Sequence, residues 1–449
     1  MRDIISQYND LAVRRADLAE MSQGQLDATL VPRHLHFGGR PLATVLRPHF
    51  LTQAEYDYVR REGALLLGAF DRAYRRLLAD ADFRAQMDLT PEEETLVQVY
   101  PGYDTPTPTG RIDTFFVHGG TLQAVEYNAE TPAATAYEDE LSDTFLNLPL
   151  MTEFGKDYYI QPLTARWQLI GVLRDLWWES GGRGLPQIAI VDWDNVPTYS
   201  EFELWQAYFT RHGLKSIITT PQAIEYRQGA LYSGDFRIDV IYKRVLGSEL
   251  LQAYGLDHPI LHAYRDGKVV MFNPYRCKLL HKKMSFAVLS DDANQGMFTA
   301  EQQRAIREHI PWTRKVAEMK TTRDGQTVDL IPHIVQAKDD LVLKPNDEYG
   351  GKGVVIGWET APGDWEAAVQ DALKSSYIVQ AKVNIAREDY PAWANGQVVI
   401  GERLVDLDPF VWRGQYVHGA LTRLSAQTLL NVTAGGGSTV PTLLIEPRA

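Results

Sequence analysis

A single cysteine, Cys277, stands in 449 residues, so no disulfide can form within the chain and no cysteine-rich zinc site can be built. That scarcity fits a reducing compartment. Positive charge is the minority sign: 45 Lys and Arg face 58 Asp and Glu, a formal charge of -13. Such a balance disfavours a nucleic-acid surface as the main function and leaves room only for a local basic pocket. No apolar run approaches membrane-spanning length. Residues 1–18 mix Arg and Asp with apolar residues and lack an uninterrupted apolar core, which argues against a signal peptide. The expectation is a cytoplasmic protein that partners neither membrane nor nucleic acid. Internal repeats and low-complexity tracts are missing as well. With 45% hydrophobic and 23% charged residues, the composition is that of a globular protein of two or three domains.

Against that background, the segment from Arg111-Ile-Asp113 to Glu126-Tyr-Asn128 stands out. Two β-prone apolar runs, 114–117 and 121–125, flank Gly119-Gly120, a dipeptide suited to a tight hairpin turn. A turn centred between the glycines places Asp113 opposite Glu126 and Arg111 opposite Asn128, and the two-residue period puts all four on one face. Directly opposed carboxylates repel unless a cation lies between them. Oxygen ligands of this kind suit Mg²⁺ or Mn²⁺. Taken alone, such a short pattern is more often a solvated outer face, so its meaning depends on the rest of the chain.

Apolar residues at three- and four-residue spacing, Tyr56, Val59, Leu65, Leu66, Phe70 and Tyr74 among them, predict a helical lead-in over 1–90. From Glu94 to Asn128 the period shortens towards two. It becomes helical again over 137–145, where Glu138, Asp139 and Glu140 read as favourable charge at a helix N-terminus. A Gly-rich joint at 181–186 precedes a buried-strand run at 187–191, a helix over 200–212 and a strand at 216–219, a βαβ unit with a parallel sheet. Asp192, Asp194 and Asn195 follow the first strand, where open α/β sheets place ligands, but without a glycine fingerprint they read as a turn cap. A further strand spans 235–244. Beyond Tyr275 come a basic cluster (Lys278, Lys282, Lys283), a helix over 299–309, strands at 341–344, 354–358 and 377–380, and a helix over 365–375. The fold class is α/β (α+β).

Lys344 ends a buried strand, and Asn346 to Gly353 form a flexible loop in which Gly350, Gly351 and Gly353 can bring backbone N–H groups against phosphates. The loop lacks the P-loop pattern, and in isolation a glycine hairpin with a surface lysine fits as well. The strand with Gln380 and Val383 is placed to read an adenine edge with its backbone. Near the C-terminus Arg423, Asn431 and Gly435-Gly436-Gly437 add an arginine, an asparagine and a second glycine loop. A guanidinium such as that of Arg423 binds carboxylate or phosphoryl oxygens in a bidentate fork.

Together these motifs resemble the ATP-grasp superfamily, whose usual order is Lys-Pro, a glycine loop, a Val-Gln or Val-Glu hinge, then Arg, Asn with Gly-Gly, Asp and Glu-x-Asn-x-x-Pro. Here Asp113 and Glu126-Tyr-Asn128-Ala-Glu-Thr-Pro132 precede Lys344-Pro345, an order similar to that of the circularly permuted ATP-grasp proteins, including the synthetase domain of glutathionylspermidine synthetase. The resemblance covers roughly residues 95–445. It departs at Glu130, at Ala133, at Arg276-Cys277-Lys278 and at Gly351-Lys352-Gly353, which removes glutathione and polyamine as named substrates. It implies a helical lead-in with the permuted metal-binding half over 1–184, a Rossmann-like pre-ATP-grasp domain over 185–275, and the lid and nucleotide-binding subdomains over 276–449.

The implied activity is ADP-forming ligation of a small-molecule or peptide carboxylate to an amine or thiol through an acyl phosphate. Asp113, Glu126 and Asn128 would hold one or two Mg²⁺ ions, with Mn²⁺ able to substitute. Lys344, one of Lys282 or Lys283, and the Gly350 to Gly353 lid would contact ATP phosphates, and the Gln380 to Val383 backbone would meet the adenine. Arg111 would stabilise the transferring phosphoryl oxygens or the tetrahedral intermediate, with Arg423 and Thr131 on the acyl substrate. A phosphotransferase or ATPase, or a non-catalytic nucleotide-binding protein, are the alternatives. The identities of acid and amine and the oligomeric state are not legible in the residues.

Overall fold

The computed structural model of the protein describes residues 1–426 and 437–448. Its largest sheet has eight strands. Along the main path run His49–Leu51, Ser438–Pro447, Tyr416–Ser425, Gln397–Trp412, Thr109–Phe116 and Leu122–Asn128; Ala386–Ala394 adds to Gln397–Trp412, and Tyr158–Pro162 adds to Ser438–Pro447. The early hairpin therefore completes a sheet made mostly by the last sixth of the chain, with Arg111 opposite Phe410.

The helix Gln53–Ala79 packs on this sheet. Thr52 and Glu55 close a reciprocal capping box at its start, and Tyr56, Val59, Leu66, Phe70 and Tyr74 are buried. The lead-in is not helical throughout. His49–Leu51, buried at all three positions, runs parallel to Thr442, Leu443 and Leu444, and three residues are too few for a periodicity to declare itself. Glu94 also differs from expectation, since it belongs to the helix Pro91–Val97, set by Pro at the first turn and a Thr90–Glu93 capping box.

The three acids of the helix Thr135–Leu146 are not solvated terminal charges. Glu138 accepts from the Thr442 N–H, Asp139 accepts from the N–H of Ala165, and Glu140 pairs with Arg166 and Arg33. All three are buried, so they tether the helix to the chain packed around it.

The predicted parallel sheet forms from Ile188–Val191, Ser216–Thr219, Val240–Lys243 and Val270–Phe272, with the helix Tyr199–Arg211 as the first crossover. In space the order is second, first, third, fourth. The chain thus leaves the first strand in one direction and resumes on its other side, creating a switch point between Ile188–Val191 and Val240–Lys243. The single strand expected over 235–244 is two. Phe236–Ile238 belongs to a three-stranded meander, and at Asp239 the chain bonds to Gln187 through both backbone and carboxylate and changes sheets.

A third, antiparallel sheet orders Thr313–Lys315, Tyr377–Ala381, Leu341–Pro345 and Val355–Ile356. The expected helices appear as Ala300–His309 and Pro362–Ala372. The strand expected over 354–358 stops after two residues because Gly357 presses against the Lys338 carbonyl, where a Cβ would lie 1.8 Å away. Among the described residues no helix is long and apolar enough to cross a membrane.

Candidate functional site

The hairpin pairs as expected at its functional end and differently at its turn. Arg111 lies opposite Asn128 and Asp113 opposite Glu126, but Thr114 lies opposite Ala124. The turn is centred on Gly119, at φ +67°, with the Val117 N–H donating to the Thr121 carbonyl. Val125 is an extra residue bulged into the second strand. A three-residue turn in place of the expected two-residue one and a one-residue bulge together restore the Asp113–Glu126 pairing.

The four residues line a cavity of about 590 Å³, a volume ordinary for small-molecule sites. Asp113 is its ionic centre. Arg111 donates to it from Nε at 2.8 Å and Nη2 at 3.0 Å, Asn128 from Nδ2 at 2.8 Å and Arg423 from Nη2 at 2.8 Å. Burial opposes the charge of this carboxylate, but Arg111 and Arg423 outweigh burial and hold its pKa well below the usual range. Glu126, across the ladder, meets Lys283 Nζ at 3.1 Å. The repulsion expected between the opposed carboxylates is therefore relieved by side-chain cations, and that repulsion does not by itself call for a metal.

From the third sheet, Lys344 Nζ donates to Gln380 Oε1 at 2.7 Å and approaches the Val125 carbonyl at 3.4 Å. Burial lowers its pKa to about 8; Glu126 opposes that shift and Lys283 adds to it. Gln380 holds the lysine with its side chain, whose Nε2 donates to Thr313 Oγ1, while its backbone is committed to the ladder. The next N–H groups, of Ala381 and Lys382, are taken by Trp312 and Asp340. Val383, Gly350, Gly351 and Thr131 line the cavity, and Gly353 does not. Gly353, at φ +72°, lies where a Cβ would come within 2.7 Å of Pro345 Cγ, so its role is to let the loop close on its own strand.

Of the three clustered lysines only Lys283 lines the cavity; its Nζ also donates to the Glu348 carbonyl at 2.6 Å. Lys282 turns away to Glu93 and the Asp88 carbonyl, both at 2.8 Å. Lys278 joins Glu130 at 2.9 Å and Asp347 at 2.8 Å, with Lys243 reaching Glu130 at 2.6 Å. This buried cluster fastens the base of the glycine loop to the hairpin's exit and to the end of the parallel sheet. Glu130, His281 and Asp347 are spaced for a cation, but the two ammonium groups already supply it.

Two features escaped the sequence reading, and a third, Asp192, was read there only as a turn cap. Asp406 and Asp408 alternate with Leu and Val along Gln397–Trp412 and meet Arg423 Nη2 at 2.6 and 2.9 Å; the alternation was a visible signal for two acids on one strand face. Burial drives the Asp408 pKa well above the usual carboxylate range. Asp192 accepts from the Trp193 N–H, as a turn cap should, yet it also lines the cavity, and burial raises its pKa to about 6. Arg244, one residue past Val240–Lys243, lines the cavity too and donates to the Pro132 carbonyl at 2.5 Å. Asn431, Gly435 and Gly436 lie outside the described residues.

The donor set fits a hard divalent cation. Because Asn128 gives its amide N–H to Asp113, its carbonyl oxygen points elsewhere, and Glu126 spends only one oxygen on Lys283. Glu126 and Asn128 thus present oxygens of the kind Mg²⁺ takes, and Asp113 fixes the orientation of Asn128.

No known family profile matches the chain. Over 212 residues it is 26% identical to a putative glutamate–cysteine ligase 2-3 of Frankia alni, and over 214 residues 27% identical to a putative glutamate–cysteine ligase 2-2 of Frankia casuarinae. Each match takes in 45% of this chain and 23% of the relative, so the chain spans about a quarter of the length of these curated relatives. Among solved structures it is similar to a glutathione synthetase like-effector of Globodera pallida in its apo form, with a TM-score of 0.58 and 13% identity over 95% of this chain and 97% of that one. The chain shares the fold of that effector, and over less than half its length its sequence is similar to two putative glutamate–cysteine ligases.

Proposed function

We propose that this protein is an ATP- and Mg²⁺-dependent ligase that joins a carboxylate to an amine, or to a thiol, through an acyl phosphate, on a circularly permuted ATP-grasp scaffold. The observation that carries the reading is the convergence of two distant stretches of sequence on one cavity. The Arg111–Asn128 hairpin faces Lys283, Lys344 and the Gly350-Gly351 loop there, and Arg423 lines the same cavity. The ligase names of the relatives and the glutathione synthetase-like fold support the same chemistry. The order of strands in the 188–272 sheet supports a Rossmann-like domain within the proposed 185–275 unit.

In this reading Lys344 and Lys283 hold the nucleotide phosphates as point charges, and the Gly350-Gly351 backbone closes over them. Glu126 and Asn128 would hold Mg²⁺, with Asp113 orienting Asn128, and the ion would neutralise charge on the transferring phosphoryl group. A carboxylate oxygen attacks the γ-phosphorus and ADP departs; the amine nitrogen then attacks the acyl carbon, and phosphate departs with loss of a proton from nitrogen. Arg111 and Arg423 supply cationic N–H groups to the docked carboxylate and again to the tetrahedral oxyanion. Both are fixed in advance by Asp113, so little reorganisation accompanies the reaction.

Hydroxylamine tests the proposal, because it intercepts an acyl phosphate. A pool of small acids with ATP and hydroxylamine should yield a hydroxamate together with ADP. AMP and pyrophosphate would mean adenylation, a phosphorylated alcohol would mean a kinase, and phosphate release unaffected by any acid would mean an ATPase.

A further inference from the structure

We propose that the acid accepted by this site carries an apolar body, seated in a corner of the cavity formed by Phe37, Leu42, Ala134, Tyr137 and Val196; the inference rests on the ligase reading above. These residues belong to elements outside the nucleotide-facing sheet. They come from the hairpin His36–Phe37 and Arg40–Pro41, from the start of the helix Thr135–Leu146 and from the loop after Ile188–Val191.

Hydrogen bonds and shared core packing join them into one wall. The Gly38 N–H donates to the Pro197 carbonyl at 3.1 Å, which seats the hairpin on the loop carrying Val196. The Tyr137 hydroxyl is committed to Ser200 Oγ at 2.7 Å and to the His36 carbonyl at 3.4 Å, so Tyr137 offers the corner its ring and not its hydroxyl. Leu42, Ala134 and Tyr137 belong to the main core, and Phe37 and Val196 pack against it from the cavity side. The walls of the corner are therefore built from the main core and residues packed on it.

The wall adjoins Arg111 and Arg423, on which a carboxylate would dock, and Arg244, which lines the same cavity. Arg111 Nη1 donates to the Ala133 carbonyl at 3.3 Å, next to Ala134. Arg244 donates to the Pro132 carbonyl at 2.5 Å, at the switch point of the parallel sheet, where such sheets bind ligands. Arg423 lies opposite Thr439, whose N–H donates to the Leu42 carbonyl at 2.8 Å. A carboxylate at the arginines thus runs its body onto Ala134 and Leu42. None of the five corner residues offers a charge, so a second carboxylate or an ammonium placed there would be desolvated without a partner.

The test is isothermal titration of the full chain, with and without MgADP, using butanoate, pentanoate, hexanoate and 3-phenylpropanoate against succinate and glutamate as polar controls. Each methylene moved from water into an apolar corner contributes about 0.8 kcal/mol, so affinity should rise about fourfold per added carbon from butanoate to hexanoate, with the dicarboxylates at least tenfold weaker than hexanoate. Phe37→Ser and Val196→Asn should each weaken hexanoate by tenfold or more and leave MgADP affinity unchanged. A flat methylene series, tighter binding of glutamate or succinate, absence of any apolar acid binding beside normal MgADP binding, or hexanoate binding indifferent to both variants would overturn the proposal. If hexanoate binds with the expected series and MgADP does not bind at all, the nucleotide reading fails and the apolar corner stands.

Discussion

Removing the ammonium of Lys344 should cost the protein nucleotide affinity in a way that depends on pH. The group ends the strand Leu341–Pro345, is half-buried, and has one close protein partner, the neutral amide oxygen of Gln380 at 2.7 Å. The nearby carboxylate of Glu126 is engaged by Lys283 at 3.1 Å. Lys344 is thus a charge with little to neutralise it until an anion arrives, which is why burial brings its pKa down to about 8. A charge-assisted contact contributes about 1.5 to 3 kcal/mol, so Lys344→Met should weaken MgADP binding about tenfold to a hundredfold by calorimetry at pH 7. In the wild type, binding needs the protonated amine. Below pH 8 the proton is already present and affinity is flat. Above pH 8 the nucleotide must bind together with a proton, and affinity should fall by up to about tenfold per pH unit. The variant should show no such fall. Wild-type affinity in Lys344→Met, or a fall above pH 8 that survives the substitution, would refute the assignment of this strand end to phosphate binding.

Glu126→Gln should abolish ADP formation and weaken metal-dependent nucleotide binding without lowering the melting temperature; unaltered metal–nucleotide affinity in both Glu126→Gln and Asp113→Asn would remove these residues from the metal site. Gly353→Ala should destabilise the protein by more than about 1 kcal/mol, since φ is +72° and the new methyl would meet Pro345 Cγ at 2.7 Å; urea unfolding that matches the wild type would show that the loop rearranges freely. His118, at the hairpin turn, bridges Glu55 at 2.9 Å and Glu388 at 3.0 Å. Burial opposes its charge, yet the two carboxylates outweigh burial and raise its pKa to about 9. Because the folded value lies above the unfolded one, this stabilisation is complete below about pH 6.5 and disappears as pH rises through 9, on the order of 3 kcal/mol in all. Urea midpoints at pH 6 and pH 10 should therefore converge in His118→Gln, and an undiminished difference would mean that other groups carry it.

The hairpin with Asp113, Glu126 and Asn128 was legible because a strand period of two and a pair of glycines are local properties, and local sterics and hydrogen bonding act on them directly. The sequence could not say that the turn would close on Gly119 and that a bulge at Val125 would restore the pairing, since that depends on the neighbouring strand Gln397–Trp412 accepting one edge of the hairpin. Likewise residue type and order alone pointed to Lys344, Gly350 and Gly351 as candidates for one site, and the fold brings all three to the cavity. Arg423 could be singled out as a bidentate donor, but its partners could not. Asp406 and Asp408 reach it from the strand alongside, and Asp113 reaches it from more than three hundred residues away.

The acids at 138–140 show the limit most clearly. Helix propensity and dipole place them correctly at the start of a helix, but whether a carboxylate there is solvated or buried is decided by what packs over it, here the backbone N–H groups of Ala165 and Thr442 and the guanidinium groups of Arg33 and Arg166. Sequence by itself determined most of the longer elements, the order of the motifs and the chemistry their side chains can perform. Tertiary structure decided which charges meet: the switch point that brings Arg244 and Asp192 to the cavity, the lysine cluster that withholds Lys278 and Lys282 from it, and the arginines that share Asp113. Propensities are set within a few residues, whereas Coulombic and desolvation energies depend on separation in space, and that separation exists only once the sheets have assembled.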